Sequence, residues 1–114
     1  MIMYQEEIAI QADVELLEKL LVQHRYIQAW EQGFEIFKEL QVDAAKKCIV
    51  HWDIENNVDY IYTLRENIIG VNLTLAADLD PTDQHIPERL ESSRTYISNI
   101  IPKIKRLAEE LYFD

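Results

Sequence analysis

An α+β fold is what this sequence predicts, and its hydrophobic pattern changes period twice. Apolar residues recur at three- and four-residue spacing early and late in the chain, the mark of one helix face. Between residues 48 and 77 they alternate, the mark of strands with one buried side. The 114 residues are 48% apolar with two glycines and three prolines, so residues 1–114 read as one domain, ordered nearly throughout, with a real core.

Each element has its own justification. Glu7-Ile8-Ala9-Ile10 can form a short edge strand. Residues 13–41 read as one long helix. Asp13 is a good N-cap and Glu15 favours the positive end of the dipole. Leu16, Leu20, Ile27, Trp30, Phe34 and Phe37 then make an apolar stripe, with Leu17, Leu21 and Leu40 beside it. Gly33 costs about 1 kcal/mol against alanine in a helix interior, so a bend or close packing is expected there.

Alternation begins at Cys48, Val50, Trp52 and Ile54, and Asn56-Asn57 supplies a turn in which asparagine tolerates the left-handed conformation. It resumes at Val58, Tyr60, Tyr62 and Leu64, breaks at Arg65-Glu66-Asn67, and resumes at Ile69, Val71, Leu73, Leu75 and Ala77. The other positions are mostly polar. The expectation is a three-stranded antiparallel meander, one face covered by helices, with Trp52 in the core. Tyr60, Leu64, Ile68, Val71, Leu75 and Leu79 also fit a helical stripe, which would give an all-α four-helix bundle. The β-branched and aromatic residues and three near-equal runs favour strands. Helical spacing returns at Leu90, Ile97, Ile100, Ile101, Ile104, Leu107, Ala108 and Leu111, with Pro102 predicting a kink or break near Ile101.

The net charge is −10, from 21 acidic and 11 basic side chains. It divides as −6 over residues 1–44, −4 over 45–85 and zero over 86–114. Such a surface repels nucleic-acid phosphates and anionic lipids, and no apolar run approaches a membrane helix. The start, Met1-Ile-Met-Tyr-Gln-Glu-Glu, lacks the basic region of a signal peptide, and the single cysteine, Cys48, fits a reducing compartment. A cytoplasmic protein is expected.

Little in the chain points to chemistry. Asp78-Leu79-Asp80-Pro81-Thr82 resembles the first motif of the haloacid-dehalogenase-like phosphatases, which implies a nucleophilic Asp78 and an acid Asp80. That family places the motif early in a large domain with parallel strands, whereas 32 residues follow it here, so solvated aspartates in a proline turn are expected. Asp78, Asp80 and Asp83 lack the spacing and glycine of a calcium loop. His24 reads as a partly buried structural histidine. His51 and Asp53 fall on the polar parity, with Asp59 and Thr63 on the neighbouring strand. Cys48 reads as an inert core residue. No catalytic residue, metal site or cofactor is expected, and the chain reads as more a binder than an enzyme.

The function expected is a non-catalytic protein-binding module acting through an acidic surface, in the manner of inhibitors, immunity proteins or chaperone-like adaptors. A basic protein partner would meet Glu31, Glu35, Asp53, Glu55 and Asp59. Surplus aromatic area suggests a homodimer. The alternative is a small hydrolase or ligand-binding protein using carboxylates and His51 on an open sheet face.

Overall fold

A computed structural model describes residues 1–31, 38–43 and 48–114, and its fold is α+β. Strand β1 (Ile2–Ile10) leads into helices α1 (Val14–Val22) and α2 (His24–Trp30). Strands β2 (Lys38–Asp43), β3 (Cys48–Asp53), β4 (Val58–Glu66) and β5 (Val71–Asp78) follow, and helix α3 (Ile86–Phe113) closes the order. The sheet is antiparallel with order β1-β5-β4-β3-β2. The expected meander of β3, β4 and β5 is therefore present, extended by β2 on one side and by β1 on the other.

The single helix expected over 13–41 does not form. Asp13 caps α1 as expected, its carboxylate accepting from Leu16 N at 2.8 Å. Gln23 then adopts an extended conformation, φ −85° and ψ 123°, and separates α1 from α2. The break lets Leu17, Leu20 and Leu21 of one helix and Ile27 and Trp30 of the other bury together. The Trp30 indole N–H donates to the Leu20 carbonyl at 2.8 Å and holds the pair. Glu31 is extended and ends α2, and Lys38–Asp43, which overlaps the end of the expected helix, is a strand. Phe34 and Gly33 lie outside the described residues.

Alternation locates the strands, but its parity holds only for β4 and β5. Val58, Tyr60, Tyr62, Leu64, Val71, Leu73, Leu75 and Ala77 are buried, as expected. In β3 the buried residues are Ile49, His51 and Asp53, while Cys48, Val50 and Trp52 are half-buried on the opposite face. The pairs His51↔Tyr60 and Asp53↔Val58 explain this. Paired residues share a face, and the four-residue turn 54–57 makes odd positions of β3 face even positions of β4. Trp52 therefore faces away from the helices, and His51 toward them. Asn57 takes φ 52°, the left-handed conformation expected of an asparagine in this turn.

Helix α3 packs its face of Ile97, Ile100, Ile101, Ile104 and Ala108 onto the sheet. It runs unbroken through Pro102, which lies on the exposed side, where water can satisfy the carbonyl that proline leaves without a partner. Its start is fixed by Asp83, whose carboxylate accepts from His85 N and Arg89 Nε, each at 2.8 Å. Arg89 also donates to Asn56 O at 2.6 Å, tying α3 to the β3–β4 turn. Asp80 accepts from Thr82 N and Oγ1, and Asp78 holds the N-terminal amine. The Asp-x-Asp-x-Thr segment is thus a proline turn whose carboxylates hold the chain in place. No helix among the described residues is long and apolar enough to cross a membrane.

Candidate functional site

The polar side chains that converge lie between the sheet and the helices. His51 is fully buried. Its Nε2 lies 2.8 Å from Leu21 O, a bond in which the imidazole donates. Its ring stacks on Trp30 at 5.9 Å with an interplanar angle of 10°, and meets Tyr62 at 4.5 Å. Trp30 meets the Tyr62 ring edge-on at 6.1 Å. The expectation that His51 and Asp53 share an open face with Asp59 and Thr63 is overturned by the β3 register. Asp53 is buried at the end of β3, accepting from Asn56 N and Nδ2 at 3.2 and 3.0 Å. His24 is exposed at the start of α2, and Cys48 is half-buried on the outer face.

A second row of aromatics adjoins the first. Tyr60 and Tyr96 pack at 4.6 Å, Tyr60 Oη donates to Ser93 Oγ at 3.5 Å, and Tyr96 Oη donates to the Glu31 carboxylate. Tyr62 Oη is buried, beside the Tyr96 hydroxyl, but meets hydrogen-bond geometry with no group among the described residues.

The electrostatics hold these phenols neutral. Burial pushes Tyr60 up to about 12, against the opposing pull of its Ser93 bond. Burial, then the nearby Glu31 charge, raises Tyr62 well above the ordinary phenol range. Tyr96 is raised by burial, then by Tyr62 and Glu31. Neutral phenols of this kind are hydrogen-bond donors and poor acids, so the cluster suits binding better than proton transfer.

The cluster opens to solvent through a groove of about 470 Å³ between α2 and α3. Trp30, Tyr96 and Ile100 line it, Glu31 lies at its side, and Gln28, Asn99, Lys103 and Arg106 surround it. Tyr96, Asn99, Ile100, Lys103 and Arg106 recur at the spacing of one helix face, so α3 supplies one wall and the end of α2 the other. The volume is within the range of small-molecule sites. Among the described residues no cluster of three His, Cys, Asp or Glu side chains is arranged to hold a metal ion.

The acidic residues proposed for a partner do not share one surface. Glu31 lies at the groove, Asp53 is buried under the helices, Glu55 is in the exposed β3–β4 turn, and Asp59 is on the outer sheet face. Glu35 lies outside the described residues. Tyr96, Lys103 and Arg106 escaped sequence reasoning, because Glu31 and Tyr96 stand 65 positions apart and leave no local signal of their contact.

Solved structures share the fold of this chain, two of them over nearly its whole length. The polyketide-cyclase-like protein Cgl2372 of Corynebacterium glutamicum superimposes with a TM-score of 0.59 at 16% identity, over 93% of this chain and 90% of that one. The chain shares that protein's fold. Protein NE0264 of Nitrosomonas europaea gives a TM-score of 0.60 at 11% identity, over 94% of both chains. No family model and no curated protein matches the sequence.

Proposed function

We propose that this protein binds a small, planar, amphipathic organic molecule carrying an acidic group, in the groove between α2 and α3. The observation that carries the reading is the groove's composition. An aromatic and aliphatic wall of Trp30, Tyr96 and Ile100 stands under a rim with two cations, Lys103 and Arg106, on a protein of net charge −10. Neither cation makes an ion pair among the described residues, so both are available to an anionic ligand. The apolar wall would take a ring system by burial, and the rim would orient its acidic group. The polyketide-cyclase-like description of the Corynebacterium neighbour supports a ligand of the same general kind.

Tryptophan fluorescence tests this. The chain has two tryptophans, and Trp52→Phe leaves Trp30 as the sole reporter. Titration with 2-naphthoic acid should give a saturable change in Trp30 emission. Neutral 2-naphthamide should bind at least tenfold more weakly. Lys103→Glu with Arg106→Glu should abolish the difference between the two. Absence of a saturable change, or equal binding of acid and amide to the parent protein, would refute the reading.

A further inference from the structure

We infer that the tip formed by the β4–β5 turn and the end of α3 is a docking surface for a basic, amphipathic segment of a partner protein. The turn is rigid. Asn67 N donates to Gly70 O at 2.9 Å, and the Asn67 side chain accepts from Ile69 N and Gly70 N at 2.9 and 2.8 Å. Asn67 Nδ2 also donates to Asn72 Oδ1 at 2.9 Å. Hairpin tips are ordinarily polar. This one presents Ile68 and Ile69, 103% and 66% exposed. Tyr112 lines the same depression of about 370 Å³, and its ring packs against that of Phe113, which is also exposed. Isolated exposed apolar residues need no explanation, but four gathered at one rigid tip make a patch of the kind that marks an interaction site.

Charge selects the occupant. Asp13, Glu15 and Glu66 line the depression, and no cation does. Pairing this surface with itself in a second copy would set these carboxylates against their equivalents. An anionic bilayer would be repelled in the same way. A segment with apolar anchors flanked by lysine or arginine satisfies both the patch and its rim. This surface shares no lining residue with the α2–α3 groove, so it stands or falls independently of the ligand reading. It also gives the expected acidic recognition of a basic partner a different location from the residues first assigned to it.

The test is fluorescence anisotropy of a labelled synthetic amphipathic helix of leucine and lysine, titrated with the full chain, beside the same peptide with glutamate for lysine. The lysine peptide should bind saturably and the glutamate peptide should not. Ile68→Ser with Ile69→Ser should weaken binding at least tenfold, and Glu15→Lys with Glu66→Lys should do the same. The serine pair is exposed, so its thermal unfolding should match the parent, and Tyr112→Ser provides a second apolar probe at the same tip. Lysine-peptide binding unaffected by all three changes would reduce the effect to bulk charge and overturn the inference. So would a dimer in light scattering that the serine pair dissociates, since a second copy would then own the surface.

Discussion

At the residue scale the hydroxyl of Tyr62 is the most exposed to test, because it is buried with no partner of good geometry among the described residues. A buried polar group without its hydrogen bond costs about 1–3 kcal/mol, and removing it removes that cost. Tyr62→Phe should therefore leave stability to urea unchanged or raise it by about 1 kcal/mol. A loss above that size would show that the hydroxyl is satisfied. Asp59 contributes a pH dependence of its own. Burial first, then the charge of Asp78, raises its pKa, while the N-terminal amine opposes the rise. The folded chain then holds the Asp59 proton more tightly than the unfolded chain does. Its ionisation weighs against folding at neutral pH, and the penalty fades as pH falls through the folded pKa toward the ordinary carboxylate value. Asp59→Asn should raise the urea midpoint at pH 7, and the gain should vanish near pH 3. A gain that persisted unchanged at pH 3 would assign the effect to packing rather than charge.

At the element scale the sheet was legible in its strands and not in all its faces. Periodicity found β3, β4 and β5, and it gave the correct inner face for β4 and β5. It failed for β3 because apolar residues occupy both parities there: Val50 and Trp52 outward, Ile49 inward. Only the even length of the 54–57 turn could have decided between them. Trp52→Ala should therefore cost about 1–2 kcal/mol, below the ~3–5 kcal/mol of a fully buried aromatic, whereas Trp30→Ala should reach the full range. Equal losses on thermal unfolding would return Trp52 to the core. The long helix misled for a related reason. Helix α2 ends at Trp30 with Glu31 extended, and Lys38–Asp43 joins the sheet by pairing with its sequence neighbour β3, a tertiary choice that the helical spacing of its apolar residues does not record. Gly70 sets a further constraint between elements. A Cβ there would lie 2.1 Å from the Ile10 carbonyl oxygen, which belongs to the backbone of β1 and cannot swing aside. Gly70→Ala should cost about 1–3 kcal/mol or more, the usual penalty of overpacking, read as a lowered urea midpoint with an unchanged slope.

At the scale of the whole molecule, the switch between helical spacing and alternation anticipated an α+β fold, and the sheet with its covering helices has that form. The groove stayed hidden because it is made by the meeting of residues near 30 and near 100, each unremarkable in its own stretch of sequence. The same distance along the chain governs assembly in time. Strand β1 pairs with β5, from Ile10↔Val71 to Ile2↔Asp78, so the first strand must wait for the last. The β3–β4 and β4–β5 hairpins close over short turns and can form early, while the β1–β5 ladder must close a loop of about 60–75 residues at a greater entropic cost. During synthesis β1 therefore emerges with both edges unsatisfied and remains so until β5 has left the ribosome. Its alternation of Gln5 and Glu7 with Tyr4, Glu6 and Ile8 then matters before the fold exists. Charge within this strand discourages it from pairing with its counterpart on a neighbouring nascent chain.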